Sequence, residues 1–341
     1  MEPLVSILIP AYNAQRWIAD TIHSALGQRW PRKEIIVVND GSTDQTLSIA
    51  QSFASKMVSV VTQENRGVCA ARNKAYELCQ GDYVQWLDAD DLLSPDKIAK
   101  QMAAVRQSLS KRTLLSSAWG YFLFRVNKAR FIPSALWCDL TPLEWLLRRW
   151  EENLHMNPAT WLVSRELTDA AGPWDTRLLG GGADDGEYFC RVINNSNAIR
   201  FVPDARVFYR ITGSSRLSYI GGSSKKMESL LLAMKLQIGH LRAREDSERV
   251  RAACVTYLQT WLHNFYPNRV DLAQEAQQLA ASLGGRLDLP KASWEYAWIQ
   301  KLFGFSAAKY AQLYYNRSKS SALTAWDRMM YSLERNGSLR N

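Results

Sequence analysis

The first 90 residues alternate short apolar runs with segments of helical periodicity, and this alternation restricts the fold more than any other feature. The apolar run at residues 4–9 is typical of a strand that is covered on both faces, and the apolar and β-branched residues at 34–39, 58–63 and 83–87 predict further strands. The segments between the runs place apolar residues three and four positions apart, as amphipathic helices do. This β-α-β-α-β-α-β order with short loops predicts an α/β fold with a doubly wound, mostly parallel sheet flanked by helices.

The residues that follow these strands are expected to meet at one edge of the sheet. In an open parallel sheet, ligands bind outside the carboxyl ends of the strands. The residues that this rule gathers at the edge are Pro10, Tyr12, Asp40, Asn65, Arg66, Asp88, Ala89 and Asp90. We therefore expect a shared ligand site there.

The fourth strand runs directly into three carboxylates, Asp88, Asp90 and Asp91. Like charges this close repel one another, so they need a cation or hydrogen-bond donors nearby. Taken alone, the cluster fits a metal site and an acidic helix start equally well. The shared edge favours a division in which Asp88 and Asp90 face a ligand and Asp91 caps the next helix.

The rest of the chain divides into two regions by its periodicity. Helices are expected at residues 97–108, 142–150, 166–171 and 188–193, and strands as a pair within 114–126 and at 158–164, 199–202 and 207–211. After residue 220 strand patterns vanish, and helical periodicity covers residues 227–265, 272–283 and 294–333. We expect a doubly wound domain over residues 1–220 and an all-helical C-terminal region over residues 221–341.

The distribution of cysteine and histidine restricts the kinds of metal site that the chain can form and indicates its cellular compartment. The five cysteines lie far apart and the four histidines are dispersed, so neither type forms a zinc-type cluster. Any metal would therefore rest on carboxylates, which suits Mg²⁺ or Mn²⁺. Unpaired cysteines, the absence of a long uncharged apolar window and an apolar N-terminal run without a basic leader together predict a cytoplasmic protein.

Five motifs resemble, in order and spacing, the successive signatures of glycosyltransferase family 2. They are VSILIPAYN at residues 5–13, VVNDGSTD at 37–44, NRG at 65–67, ARN at 71–73 and LDADD at 87–91. One such motif is weak, but five in register are specific. The resemblance covers roughly residues 3–215 and implies a GT-A fold. It also implies transfer of a sugar from a nucleotide-diphosphate donor, such as a UDP-sugar, to a glycan or lipid-linked acceptor hydroxyl.

The residue types in these motifs suit a sugar nucleotide. Tyr12 would stack on the base, and Asp40 would accept a hydrogen bond from a base N–H. Asn65 and Arg72 offer donors to the base, ribose or phosphate. Each also has a structural interpretation, since Tyr12 fits loop packing, Asp40 fits a turn and Arg72 fits an ion pair with Asp40 or Asp88.

The spacing of Asp88 and Asp90 allows one carboxylate to reach a ribose or metal-bound water while the other binds Mn²⁺ or Mg²⁺. The leaving nucleoside diphosphate gains negative charge, which a metal ion and the arginine of the fourth motif would stabilise. Many family members carry a histidine at the place of Thr212. We therefore expect either weaker metal binding or phosphate binding by Arg210 and Arg216.

The segment 184–187 resembles the Glu-Asp motif of the family, with Asp184 in place of the usual Glu and Asp185 matching the Asp. The resemblance implies that Asp185 is the general base of an inverting single displacement, taking the proton of the acceptor hydroxyl. Asp184 also fits a capped helix start. The three glycines at residues 180–182 predict a mobile loop that closes over donor and acceptor.

Two further stretches of the sequence bear on the acceptor and on a membrane partner. His155 and Asn157 lie where the family often shapes the acceptor side, although a core histidine is an equally good interpretation. Residues 291–305 combine aromatic residues with lysines, as helices at membrane surfaces do, and residues 218–341 carry 17 Lys or Arg against 10 Asp or Glu. The favoured interpretation is a small helical bundle whose aromatic stripe packs on the first domain, and an anionic membrane surface is a candidate partner.

Other functions fit the sequence less well. A sugar-phosphate nucleotidyltransferase shares the architecture but needs a Gly-rich basic loop where residues 10–13 read PAYN, and a dehydrogenase needs Gly-x-Gly-x-x-Gly there. A non-catalytic scaffold protein would not need Asp88, Asp90 and Asp185. No nucleic-acid-binding motif accompanies the basic charge, so no nucleic-acid partner is expected. UDP, GDP and dTDP donors all fit these residues.

Overall fold

The computed structural model describes residues 2–106, 110–180, 183–211, 220, 223–290 and 294–338. Its strands are β1 Val5–Ala11, β2 Lys33–Asp40, β3 Val58–Gln63, β4 Tyr83–Trp86, β5 Leu92–Leu93, β6 Thr113–Phe122, β7 Arg130–Phe131, β8 Val163–Ser164 and β9 Ala198–Arg210. Its helices are α1 Ile18–Leu26, α2 Thr46–Gln51, α3 Val68–Leu78, α4 Lys97–Arg106, α5 Pro142–Glu151, α6 Arg165–Ala171, α7 Ala183–Asn195, α8 Ser224–Arg244, α9 Glu248–Trp261, α10 Val270–Ser282 and α11 Ala297–Ser338.

The first sheet is the predicted doubly wound one, with strand order β3-β2-β1-β4-β8. Strands β1 to β4 run parallel, and the short β8 pairs antiparallel with β4. Leu8 of β1 shares a hydrophobic cluster with Ala71 of α3. Ile7 and Ile9 share the opposite cluster with Ile18 of α1. The predicted α/β fold is confirmed, and the apolar runs arise because helices cover both faces of the sheet.

The second sheet has the order β5-β9-β6-β7, and its two long strands differ from the sequence prediction. The pair of strands expected within residues 114–126 is mainly the single strand β6, and the two expected within 199–211 are the single strand β9. The register of this parallel pair shifts between Ser117 and Ala118. Pro203 lies opposite the shift, and since proline cannot donate a ladder hydrogen bond, it makes β9 read as two strands.

The segment predicted as a strand at residues 158–164 contains only the short β8. Before it lies a 3₁₀ turn, Pro158–Thr160. The Asn157 side chain fixes this turn by accepting a hydrogen bond from Ala159 N. Local side-chain bonding of this kind offers the backbone an alternative to the sheet.

The helix starts also differ from the predictions. The position of Ser42 and Thr43 just before α2 predicts that one of them caps this helix, but Asp44 accepts the hydrogen bond from Thr46 N. Helix α7 begins at Ala183, well before the predicted helix at residues 188–193. The segment expected as a loop at 184–187 therefore lies in the first turns of a helix, while residues 181 and 182 lie outside the described part of the chain.

The helices after residue 223 extend the core of the first domain. Met234 of α8 and Leu258 of α9 belong to the same hydrophobic cluster as Trp86 of β4 and Trp150 of α5. Helix α11 lies apart from this core over most of its length, and Trp298 is 61% exposed. The expected packing of an aromatic stripe against the first domain is therefore wrong for Trp298. No helix within the described residues is long and apolar enough to cross a membrane.

Candidate functional site

The predicted site residues lie at the carboxyl ends of the strands, as expected from the topology. Pro10 is buried near the end of β1, and Tyr12 follows it with half of its surface exposed. Asp40 ends β2 and is buried, whereas Asn65 follows β3 and is exposed. Tyr12 and Asn65 therefore present side chains to solvent at this edge, where a ligand would contact them.

Asp40 fastens the turn that follows β3. Its Oδ1 accepts hydrogen bonds from Gln63 Nε2 at 2.7 Å and Arg66 N at 2.9 Å, and its Oδ2 accepts one from Gly67 N at 2.9 Å. The ion pair expected between Asp40 and Arg72 is not among its contacts. The turn interpretation of Asp40 thus matches its observed bonding, and one lone pair of Oδ2 faces no described donor.

Gly41 is required for this arrangement. Its φ is +67°, and an added Cβ would lie 2.6 Å from Asn65 N. Both the left-handed backbone and the close approach therefore exclude a side chain. The small residue lets the ends of β2 and β3 approach each other.

Two asparagines fix loops around the site through their backbone bonds. Asn13 has φ +48° and accepts a hydrogen bond from Thr43 N at 2.9 Å. Asn73 donates to Trp174 O at 2.9 Å and accepts from Trp174 N at 2.8 Å. Both asparagines therefore hold loop backbone, as the sequence favours.

Arg72 joins two carboxylates that are far apart in the sequence. Its guanidinium donates to Asp88 Oδ1 at 2.9 Å and to Asp184 Oδ2 at 2.7 Å, and it lies 4.2 Å from the centroid of the Trp174 ring. Burial opposes the charge of Arg72, but the two carboxylates outweigh it and raise its pKa above the ordinary value. The pair with Asp88 was one of the predicted alternatives, whereas the pair with Asp184 was missed. Asp184 lies in the first turn of α7, in keeping with its interpretation as an acidic helix start, and its carboxylate also binds Arg72.

Asp91 does not cap a helix, which corrects the sequence prediction. It is followed by β5, and α4 begins only at Lys97. Its buried carboxylate accepts hydrogen bonds from Arg210 N at 2.9 Å and Asn157 Nδ2 at 2.8 Å. Burial, together with Asp90 and Asp88, raises the pKa of Asp91 well above its ordinary value. Asp91 therefore ties β9 and the 3₁₀ turn to the end of β4.

Arg210, a candidate phosphate ligand, is committed to neighbours within the fold. Its Nε donates to Asp90 O at 2.9 Å, and its Nη2 donates to Asp20 Oδ2 at 3.2 Å. The guanidinium lies 4.1 Å from the centroid of the Trp17 ring, and only 3% of the residue is exposed. The other two positions of that prediction, Thr212 and Arg216, lie outside the described residues.

Asp185 lies in the first turn of α7, next to Asp184, and is partly exposed. Burial and the neighbouring Asp184 raise its pKa to about 6, while Arg72 and Arg149 oppose this rise. A carboxylate with a pKa near neutrality suits proton abstraction. His155 lines the same cavity of about 50 Å³ as Asp185, and burial lowers the pKa of this histidine.

The carboxylates of the edge fit a divalent cation only together with a ligand. Within the described residues, no three His, Cys, Asp or Glu side chains converge to hold a metal. Asp88 gives one oxygen to Arg72, and both Asp88 and Asp90 are partly exposed. Mg²⁺ and Mn²⁺ accept such sites when substrate phosphates complete their oxygen shell. The donor set therefore fits a cation shared between these two residues and a phosphate group.

Comparisons with known proteins find sequence similarity in the N-terminal part of the chain. Residues 6–110 match the family model described as glycosyl transferase family 2. The chain is 42% identical over 125 residues to the putative teichuronic acid biosynthesis glycosyltransferase TuaG of Bacillus subtilis, covering 36% of this chain and 48% of that protein. It is 42% identical over 110 residues to chondroitin synthase of Escherichia coli, covering 32% of this chain and 16% of that protein. The chain thus matches less than half the length of either relative.

Solved structures resemble the chain over a longer stretch than these relatives do. The structure of S. aureus TarS 1-349 in complex with UDP-GlcNAc superposes with a TM-score of 0.68 at 19% identity, covering 82% of this chain and 81% of that one. A second TarS 1-349 structure gives a TM-score of 0.60 at 21% identity, over 79% and 73% of the two chains. This similarity supports the assigned fold.

Proposed function

We propose that this chain is a family 2 glycosyltransferase on a GT-A fold and that it transfers a sugar from a UDP-sugar to an acceptor hydroxyl, because residues 6–110 match the model of that family. The acceptor would be a glycan or a lipid-linked glycan. TuaG and chondroitin synthase, both similar in sequence, are named for the synthesis of polysaccharides. UDP is favoured as the nucleotide because TarS, which has a similar fold, binds UDP-GlcNAc.

The observation that carries the proposal is the double ion pair of Arg72. Asp88 stands at the end of β4, where the donor would bind, and Asp184 stands in α7 beside the candidate base. Through Arg72 these two elements are held within one side-chain length of each other. Donor and acceptor chemistry would therefore meet at a fixed distance, as a direct displacement needs.

The donor would bind along the carboxyl edge of the sheet. The exposed ring of Tyr12 would stack on the base, with Pro10 supporting the loop from below, and Asn65 would offer its amide. Asp40 would use its remaining lone pair for a base N–H. These contacts leave the diphosphate to lie over residues 88–90.

Mn²⁺ or Mg²⁺ would be held by Asp88 and Asp90 together with diphosphate oxygens. When bound, the cation would stabilise the charge that develops on the leaving nucleoside diphosphate. Ala89 holds its two neighbours in place, because its carbonyl accepts a hydrogen bond from Thr21 Oγ1 at 3.0 Å. The guanidinium of Arg72 adds fixed positive charge beside Asp88.

Asp185 would act as the general base of an inverting displacement. Its carboxylate would take the acceptor proton as the hydroxyl oxygen attacks the anomeric carbon and the bond to the diphosphate breaks. Since the base is active when ionised and its pKa is raised to about 6, transfer should decline as the pH falls through about 6.

The variant Asp185→Asn tests this role. We expect transfer from UDP-GlcNAc to fall by roughly 100-fold or more, because general base catalysis contributes about that factor. UDP binding, measured by calorimetry, should be unchanged, since Asp185 lies outside the donor edge. Near-normal transfer with intact UDP binding would contradict the role of Asp185.

Helix α11 would attach the protein to an anionic membrane surface. Large aromatic side chains are exposed along it, at Trp298, Phe303, Tyr310, Tyr314, Tyr315 and Trp326. The basic residues Lys301 and Lys319 are exposed among them. Aromatic rings and lysines in combination favour the interface of a bilayer.

Sedimentation with vesicles of anionic lipid at low salt tests this attachment. We expect wild-type protein to sediment with the vesicles and the double variant Lys301→Glu with Lys319→Glu to remain largely in solution. Lys56→Glu, at an exposed position of the first domain, is the matched control and should behave as wild type. No sedimentation of the wild type would contradict the attachment.

A further inference from the structure

Four helices meet at the first turn of α7, where Asp185 lies. The backbone of Gly186 is packed so tightly there that an added Cβ would lie 3.1 Å from Arg149 Nη2 and 3.3 Å from Gln237 Nε2. Arg149 comes from α5 and Gln237 from α8. The ends of both side chains therefore press against the peptide that follows Asp185.

Arg149 is held in this position by the C-terminal helices. Its Nη1 donates to Gln237 Oε1 at 3.2 Å. The Nε2 of Gln237, a fully buried residue, donates to Tyr257 Oη of α9 at 2.9 Å. Tyr257 in turn stacks on Trp150, with the ring centroids 4.7 Å apart. The amide of Gln237 is thereby fixed with its oxygen toward Arg149.

A second contact joins α8 to the same part of α7. Glu187 Oε1 lies 3.0 Å from His240 Nε2 and also accepts a hydrogen bond from Arg191 Nε at 2.7 Å. Glu187 is buried, so these partners compensate its charge. Helix α8 therefore contacts the start of α7 twice, at Gly186 through Gln237 and at Glu187 through His240.

We propose that Arg149 is a positioning residue for Asp185, and that Gln237 and Tyr257 of the C-terminal helices hold Arg149 in place. The inference rests on the proposed role of Asp185 as base. It assigns to the region after residue 223 a part in the reaction that its sequence motifs do not suggest. The cation favours the ionised carboxylate, and its packing against residue 186 fixes the direction of the α7 backbone.

The charges around Asp185 show why one more cation matters. The titratable and charged groups that face it are Asp184, Arg72, Arg149, Tyr257, Cys69 and His155. Arg72 already pairs with Asp88 and Asp184. Within this group of side chains, Arg149 is therefore the cation whose positive charge is available to compensate Asp185.

The titration of Asp185 itself tests the proposal without any substrate. Protein labelled with ¹³C at the aspartate carboxyl carbons is titrated by NMR, and the resonance missing from Asp185→Asn identifies Asp185. We expect its pKa to rise by about 1 in Arg149→Gln, because a nearby opposite charge shifts a carboxyl by about that amount or more. Arg149→Lys, which keeps the charge, should restore most of the wild-type value.

Two further variants separate positioning from general destabilisation. Gln237→Leu should raise the pKa of Asp185 by less than Arg149→Gln does, because Arg149 remains but loses its acceptor. Arg148→Gln removes a charge from the same helix at a residue that pairs with Glu144, and should leave the titration unchanged. If Arg149→Gln titrates as wild type, or if Arg148→Gln shifts the pKa equally, the inference is wrong.

Calorimetry with UDP on the same variants distinguishes a failure of the proposed function from a failure of the positioning role of Arg149. Arg149→Gln should bind UDP with the wild-type Kd, since Arg149 lies away from the donor edge. If wild-type protein does not bind UDP, the proposed function itself fails. If it binds UDP while Asp185 titrates alike in wild type and Arg149→Gln, the positioning role alone fails.

Discussion

Arg72 is the residue on which the geometry of the site depends most. It is 4% exposed and is compensated by Asp88 and Asp184 together. Removing one partner from a buried ion pair costs about 3–5 kcal/mol, because the remaining charges stay buried without compensation. The same side chain thus contributes to stability and sets the distance between the ends of β4 and α7.

We predict that Arg72→Leu lowers the free energy of unfolding by roughly 3 kcal/mol or more. Denaturant unfolding followed by circular dichroism measures the change. Lys74→Ala is the matched control, because Lys74 lies on the same helix and forms only a partly exposed pair with Glu77. The control should lose less than about 1 kcal/mol. Equal losses in the two variants would show that the Arg72 pairs carry no special stability.

How far the site could be predicted differs from residue to residue. Asp88 and Asp90 were placed correctly at the sheet edge, since a buried parallel strand that ends in carboxylates has a readable pattern. The partner of Asp184 could not be predicted, because Arg72 lies 112 positions away in the sequence. Asp91 was misread because a carboxylate before a short strand looks like one before a helix. Arg149 has no local signal, since its role depends on packing from α8.

Among the strands and helices, those that are buried most completely are the ones that the sequence predicts best. Strands β1, β2 and β4 were predicted because both their faces are covered along most of their length, which leaves a mostly apolar run. Strand β9 read as two strands because Pro203 interrupts it opposite a register shift. Helix α7 was predicted too short, because an Asp-Asp-Gly stretch is typical of loops, whereas here Asp184 binds Arg72 and Gly186 packs against Gln237.

The C-terminal part of α11 is fixed to the first domain mainly through Asp327. Asp327 accepts hydrogen bonds from Phe124 N at 2.9 Å and from Arg125 Nε at 2.7 Å, and Tyr331 lies 6.1 Å from the Phe124 ring. Glu334 also pairs with Arg125, at the more exposed side. Since most of α11 is exposed, these contacts determine whether this end of the helix is docked.

We therefore predict that Asp327→Ala speeds hydrogen exchange of the amides around residues 320–333 by about 10-fold or more, because a hydrogen bond to a charged group contributes about 1.5–3 kcal/mol. Hydrogen-exchange mass spectrometry measures this. Lys319→Ala, on the same helix but exposed, is the control and should exchange as wild type. Unchanged exchange in Asp327→Ala would mean that other contacts hold the helix.

In the molecule as a whole, the helices α8 to α10 complete the hydrophobic core. Residues of these helices share one cluster with β4 and α5, whereas α11 contributes few buried side chains. A domain that loses part of its core exposes apolar surface and loses cooperative folding. The two parts of the C-terminal region should therefore differ in their importance for folding.

Truncation tests this difference. A chain of residues 1–220 should fail to unfold cooperatively, since the surface buried by α8 to α10 becomes exposed. A chain of residues 1–290 should keep a sharp thermal transition, with Tm lower than that of the full chain by only a few degrees. Circular dichroism and calorimetry measure both. A cooperative transition in the shorter chain would contradict the shared core.

The central claim is that the carboxyl edge of the sheet binds a nucleoside diphosphate. Calorimetric titration with UDP, GDP and dTDP, each with and without Mn²⁺, tests it most directly. UDP should bind most tightly, and Mn²⁺ should strengthen its binding. Asp90→Asn should remove the Mn²⁺-dependent gain while keeping metal-free UDP binding. Absence of binding by all three nucleotides, with and without Mn²⁺, would contradict the claim.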